Sequence, residues 1–168
     1  PDDCAVVLFT SGSTGEPGAI RKTLRQLDNE VAALEAQFGA ALGDAVVQGT
    51  VSHQHIYGLL FRLLWPLSAG RPFGRRRVGF NEQLVALGDT PLVLVASPAH
   101  LKRLPENQDW GPLARSRRAA FSSGGPLPAD AAHAVRKLWG QAAIEVFGST
   151  ETGGIAWRQS GGAPKPWQ

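Results

Sequence analysis

Cysteine is nearly absent, with Cys4 the only one in 168 residues. An internal disulfide is excluded, and so is a cysteine metal cluster. That usage fits a reducing compartment, and the expected location is cytoplasmic. Cys4 precedes an apolar run and reads as a small buried residue. No apolar run approaches the roughly 18 residues that a membrane-spanning helix needs. Pro1-Asp2-Asp3 leads into no basic-then-apolar segment, so no signal peptide is read there. Three familiar loops are missing as well. Counting five on from Gly12 reaches Pro17, with no Lys-Ser or Lys-Thr after it, so there is no Walker loop. The Gly-x-Gly-x-x-Gly fingerprint and the Gly-x-Ser-x-Gly nucleophile elbow are absent too.

What remains is an ordinary globular composition, 43% hydrophobic with a net charge of +3. A chain of this length forms one compact unit and buries roughly 70% of its unfolded surface. Arg75-Arg76-Arg77 and Arg115-Ser116-Arg117-Arg118 supply much of the positive charge. They read as a solvated basic edge, or as a lure for anions such as ATP or coenzyme A phosphates. No aromatic residues interleave with them, so nucleic acid is not an expected partner.

Strands alternate with helices along the chain. Leu24, Leu27, Val31, Leu34 and Phe38 recur at helical spacing, with Thr23 as N-cap and Gly39 as the stop. Ile56–Leu67, Pro98–Leu104 and Pro128–Trp139 also read as helices. Strands are expected at 5–8, 45–51, 91–96, 119–122 and 143–147, and the run Pro91–Ala96 has the continuous apolarity of a buried parallel strand. The pattern predicts an α/β fold, a mostly parallel sheet flanked by helices. The tail from Gln159 reads as loop.

Three strands run into turns rich in glycine and hydroxyl groups. The first turn is Thr10-Ser11-Gly12-Ser13-Thr14-Gly15-Glu16-Pro17, the second Ser122-Ser123-Gly124-Gly125-Pro126-Leu127, and the third Phe147-Gly148-Ser149-Thr150-Glu151-Thr152-Gly153-Gly154. Glycine lets backbone approach a ligand, and successive N–H groups make an anion-binding nest. Each turn alone also reads as a surface bend. In open α/β sheets, ligands sit beyond the carboxyl ends of the strands, so three such turns can meet on one nucleotide. His53 and His55 are two apart, and no third ligand accompanies them to make a metal site.

These segments resemble those of adenylate-forming (AMP-binding) enzymes, which include acyl- and aryl-CoA synthetases, peptide-synthetase adenylation domains and luciferases. Thr10–Pro17 resembles the phosphate loop, Gly124–Leu127 the adenine turn, and Phe147–Gly154 the Tyr-Gly-Ser-Thr-Glu-Thr-Gly segment. His55-Ile56-Tyr57-Gly58 resembles the His-x-x-Gly segment beside the acyl pocket. The resemblance implies ATP-dependent activation of a fatty or aryl acid as its acyl-adenylate. Transfer to coenzyme A or to the phosphopantetheine of an acyl carrier protein would follow. Thr10, Ser11, Gly12, Ser13, Thr14 and Gly15 would hold the phosphates. Gly124, Gly125, Pro126 and Phe147 would hold adenine, with Gly148, Ser149 and Thr150 at the α-phosphate. Glu151 would bind Mg²⁺, and His55 would line the carboxylate entry.

The chain departs from the pattern in places. Phe147 replaces the usual tyrosine, and Gly18 stands where a lysine usually follows the proline. Lys22 lies about 13 Å further along an extended chain and substitutes only if the loop folds back. The ribose-binding aspartate, the hinge and the lysine-bearing C-terminal domain of the family have no match after residue 154. Residues 1–168 are thus expected to be the central part of an AMP-binding domain. A non-catalytic nucleotide-binding remnant is the alternative.

Overall fold

A computed structural model describes residues 4–10, 18–161 and 165–168. Its centre is a sheet of order β3-β4-β5-β6-β7, formed by Val46–Gly49, Leu92–Ala96, Arg117–Ser122, Ile144–Ser149 and Gly153–Arg158. Strands β3 to β6 are parallel, and β7 returns antiparallel to β6. The expected α/β architecture is therefore present.

All five residues of β4 are buried. Leu92, Leu94 and Ala96 face one core with Leu113, Val135 and Trp139. Val93 and Val95 face the other, with Leu27, Val31, Phe61, Trp65 and Phe121. Alternate side chains on a strand point to opposite faces, so a strand covered on both sides must be apolar throughout. Helices α4 (Asn81–Val85), α5 (Pro98–Leu101), α6 (Gly111–Ser116) and α7 (Ala129–Trp139) belong to the first core's segments. The second core is closed by α1 (Leu24–Leu42) and by a continuous helix after β3. That helix comprises α2 (Ile56–Leu59), a π-helical stretch (Leu60–Leu64) and α3 (Trp65–Ser68). The Trp65 N–H donates to the Leu60 carbonyl five residues back. Pro66 follows and has no N–H to continue the normal ladder, which accounts for the widened turn just before it.

Strands β1 (Ala5–Thr10) and β2 (Gly18–Thr23) form a separate antiparallel pair, with Thr10 opposite Gly18. The first strand is less buried than its apolar run suggests. Leu8 is buried, whereas Val7 and Phe9 are half or more exposed. Cys4 is likewise exposed, not buried. Thr23 caps α1 as expected, its hydroxyl accepting from the Gln26 N–H at 3.2 Å. Gly39 does not stop the helix, which runs to Leu42 with Gly43 as C-cap. Gly39 is instead buried where Arg71 Nη2 reaches its carbonyl at 3.1 Å. β2, α4, α6 and β7 are elements that sequence periodicity does not announce, being short or glycine-rich.

The basic clusters divide in two. Arg75, Arg76, Arg77 and Arg118 are exposed, as a solvated edge requires, but Arg117 is buried. Its guanidinium lies 5.3 Å from the Trp139 ring and donates to the Trp139 carbonyl at 3.0 Å. Burial lowers its pKa to about 10.

Arg71 is also buried and holds the α1–α3 corner. It donates to both carboxylate oxygens of Glu35, at 2.5 and 2.8 Å, and to the Gly43 carbonyl at 2.6 Å. The Arg71 hydrogen bonds, more than that from the Trp65 indole, hold the Glu35 carboxyl below its usual range. Glu35→Ala leaves Arg71 short of acceptors and is expected to lower stability by about 2 kcal/mol, reduced where the half-exposed carboxylate is screened by solvent. A depressed folded-state pKa stabilises the fold above the unfolded value of 4.5, and that contribution is lost as pH falls through the folded value. Thermal melts from pH 7 to 3 should therefore show a shallower acid-side decline for Glu35→Gln than for the parent.

Candidate active site

Parallel strands carry their loops to one edge, and there the sequence places hydroxyl groups. Ser97 follows β4, Ser123 follows β5, Ser149 ends β6, and Thr150 follows it. These residues, together with Gly124, Gly148, His55 and Gly58, line one cleft of about 390 Å³. Two of the three glycine–hydroxyl turns and the His-x-x-Gly segment are thus brought together. Val51, Ile56, Tyr57, Leu60, Phe61 and Val146 form its apolar wall.

Local chemistry explains the arrangement. His55 takes the extended N-cap position of α2, φ −101° and ψ 149°, so its ring stands at the helix entrance. Three residues on, Gly58 passes close to the preceding loop: a Cβ there would lie 1.9 Å from the Ser52 carbonyl oxygen. Gly124 has φ +86°, a conformation that permits the sharp turn out of β5. The Tyr57 hydroxyl is fully buried, and desolvation raises its pKa well above 10, so it stays neutral.

The segment after β6 is not an open loop. It is the turn of a β6–β7 hairpin, with Ser149 paired to Gly153. Ser149 and Thr152 close it through their hydroxyls, 3.0 Å apart, and through the Thr152 N–H to Ser149 Oγ at 3.2 Å. Glu151 projects from the tip and is exposed. The Ser149 hydroxyl first, then its own backbone N–H and the charge of Lys22, keep the Glu151 carboxyl below the usual range. Strand alternation separates Phe147 from the cleft. Val146 and Gly148 line it, whereas Phe147 is 54% exposed and packs against Trp167 with ring centroids 5.7 Å apart. Arg158, doubly bonded to Glu145 at 3.0 and 2.9 Å, sits 4.4 Å from the Trp167 ring.

Lys22 is the residue whose position the sequence leaves open. It lies on β2, buried, and its ammonium donates to the Glu151 carbonyl at 2.7 Å. The chain does fold back, but Lys22 pairs with Val6, well down the hairpin from the Thr10–Gly18 end. It therefore ties β2 to the β6–β7 turn. Glu30 of α1 makes a second tie, accepting from the Gly154 N–H at 3.1 Å.

Of the expected site residues, His55, Gly124, Gly148, Ser149 and Thr150 share the cleft. Gly125 and Pro126 are exposed beside it on the same turn, and Thr10 ends β1 with its hydroxyl 3.4 Å from the Gly18 carbonyl. Ser11, Gly12, Ser13, Thr14 and Gly15 lie outside the described residues. Of the apolar residues near His55, Leu60 lines the cleft while Trp65 is core. Ser97 and Ser123 are cleft residues not singled out as ligand-binding in advance, although each follows a buried strand as the other hydroxyls do. No group of three or more metal-ligating side chains occurs among the described residues. No helix among them is long and apolar enough to cross a membrane.

The 4-coumarate–CoA ligase of Rhodobacter capsulatus is 31% identical over 159 residues, covering 94% of this chain and 40% of that protein. A solved malonyl-CoA ligase product complex, with methylmalonyl-CoA and AMP bound, matches with a TM-score of 0.73 and 27% identity, over 95% of this chain and 35% of that one. Apo MatB from Rhodopseudomonas palustris matches with a TM-score of 0.81 over 98% of this chain and 33% of its own, and at 22% identity it speaks for the fold alone. The chain spans less than half the length of each of these proteins. A family model described as AMP-binding enzyme matches residues 1–168, and the chain belongs to that family.

Proposed function

We propose that the full-length protein activates a carboxylic acid with ATP and passes the acyl group to a thiol, and that residues 1–168 supply much of the nucleotide and acid sites. One observation carries the reading: segments far apart in sequence, at His55, Gly124 and Ser149–Thr150, line a single cleft. A carboxylate oxygen of the acid attacks the α-phosphorus of ATP, the bond to the β-phosphate oxygen breaks, and pyrophosphate leaves with the electron pair. The thiol sulfur then bonds to the acyl carbon, AMP departs with the electrons of the acyl–oxygen bond, and the thiol proton goes to solvent.

In this reading the residues mainly position and stabilise charge. Ser149 and Thr150 offer donors at the α-phosphate, and Thr10–Gly15 offer them further along the phosphate chain. Gly124, Gly125 and Pro126 leave room for a purine edge, with Phe147 giving an aromatic face. His55 stands at the acid entrance. Glu151 is exposed and kept ionised by Ser149 and Lys22. A single such carboxylate suits Mg²⁺, which takes one or two carboxylates beside phosphate oxygens. When bound with ATP, Mg²⁺ neutralises charge that builds on the phosphates.

The cleft also bears on the acid. Its described lining holds no lysine or arginine, and its inner wall is apolar. A second carboxylate against the apolar wall would meet no cation of the described lining, which disfavours it. Apolar monocarboxylic acids, aliphatic or aromatic, suit this described lining better than dicarboxylic acids.

ATP–pyrophosphate exchange by the full-length protein with a panel of acids tests the reading. Exchange is expected with apolar monocarboxylates and not with malonate; no exchange with any acid would refute it. Glu151→Gln should cut exchange by about 100-fold or more while leaving the melting temperature within a degree or two. Gly18→Lys restores a cation beside the phosphate loop and should tighten ATP binding in a calorimetric titration. Among the described residues, a Cβ at position 18 meets the Thr10 hydroxyl, at 3.2 Å, which can turn aside. Unchanged affinity would mean that Gly18 does not limit phosphate binding.

A further inference from the structure

Lys22 breaks the pattern of its strand. In the register of the β1–β2 pair, Val6 stands opposite Lys22 and Leu8 opposite Ile20. Residues directly opposite share a face, and side chains alternate along each strand. These four therefore form the inward face: Leu8 and Lys22 are buried, Val6 and Ile20 half-buried, while Val7 and Arg21 on the other face are exposed. An apolar residue is the ordinary occupant of such a position, and a lysine is rarely buried without a partner. The partner is not a carboxylate, since no ion pair among the described residues includes Lys22. It is the main-chain carbonyl of Glu151, 2.7 Å from the ammonium.

The turn that Lys22 reaches needs anchors from outside. Ser149 and Thr152 bond to each other through hydroxyl and N–H groups, which fixes the shape of 149–152 but not its placement at the cleft. Beyond the turn, Glu30 accepts from the Gly154 N–H at 3.1 Å. It comes so near that a Cβ on Gly153 would lie 1.6 Å from its Oε1. Lys22 supplies the anchor at the tip itself. A charged donor makes the stronger kind of hydrogen bond, and by taking a carbonyl it holds the backbone and leaves the Glu151 side chain free.

Lys22 does not line the cleft, whereas Thr150, next to the anchored residue, does. Its strand is the one that leaves the Ser11–Pro17 segment, so the bond links the hairpin bearing that segment to the turn bearing Thr150 and Glu151. Donor and acceptor are already paired within these residues, so the link does not depend on what packs outside them.

We propose that Lys22 is a positioning residue for adenylation. It holds the Glu151 carbonyl so that Thr150 and the Glu151 carboxylate are presented to the nucleotide and its Mg²⁺ in one placement, and it touches neither ligand itself. The inference rests on the acid-activating reading above and adds a residue to it. The role differs from that of a lysine at position 18, which would offer its charge directly to phosphate.

The test uses the full-length protein carrying Lys22→Met, which keeps the stem and removes the donor, or Lys22→Arg, which keeps a charged donor. In Lys22→Met without ligand, hydrogen–deuterium exchange should quicken about fivefold or more at the amides of 149–154. Exchange over β4 should stay at the parent rate, which also reports that the variant folds. In ATP–pyrophosphate exchange, Lys22→Met should lower kcat about tenfold or more and raise the Mg²⁺ concentration for half-maximal rate by a similar factor, with KM for the acid unchanged. Lys22→Arg should recover most of each loss. Parent-like turn amides in Lys22→Met overturn the proposal, and so does quickened exchange that spreads evenly into β4, the mark of general loosening. A drop in kcat with the Mg²⁺ requirement unmoved overturns it, as does an arginine variant no better than the methionine one. A parent protein that exchanges pyrophosphate with no acid defeats the acid-activating reading itself, and the turn amides then still decide whether Lys22 holds the turn.

Discussion

The structure depends on one strand being dry on both faces. Leu92 to Ala96 of β4 are wholly buried, so their backbone groups must find partners in flanking strands and not in water. β3 and β5 provide them, both parallel to β4. Parallel neighbours point their carboxyl ends the same way, and every loop leaving those ends emerges at one edge. The meeting of Ser97, Ser123, Gly124, Ser149 and Thr150 around a cleft follows from that geometry. It needs no direct attraction among those residues.

Buried arginines brace this frame. Arg62, Arg71 and Arg117 each donate to backbone carbonyls of other segments. Arg71 also has Glu35, whereas Arg62 and Arg117 have no carboxylate among the described residues. A guanidinium suits this work because it presents several donors in a fixed plane and keeps its charge under burial. Burial carries an electrostatic cost at both unpaired arginines, larger at Arg117, whose pKa it lowers to about 10, than at Arg62, where the charge of Arg77 adds to it.

The β6–β7 hairpin connects frame and chemistry. Lys22 from β2 and Glu30 from α1 both bond to it, which ties the separate β1–β2 pair and the long helix to the hairpin. The same hairpin divides the site. Side chains alternate along β6, which leaves Val146 with the apolar wall and sends Phe147 to the opposite face under Trp167. One strand thus contributes an apolar side chain to the cleft and an aromatic one to the opposite face.

Local sequence was enough for whatever depends on neighbours within a few residues. The apolar run of β4, the Thr23 cap, the helical spacing of Leu27 and Val31, and the glycine–hydroxyl turns are all legible there. So is the family, since its motifs are short and contiguous. Fold decided the rest. The end of α1 beyond Gly39, the exposure of Cys4 and the burial of Arg117 depend on which surfaces pack against them. The hairpin that β7 makes of the Phe147 segment depends on pairing with a strand of weak apolar pattern. Lys22 is the sharpest case: its distance along the chain gave a condition, whether the segment turns back, and only the antiparallel pairing with β1 placed its ammonium on Glu151. Periodicity encodes which face of an element is buried, but the partner met by a long charged side chain is set by elements more than a hundred residues away.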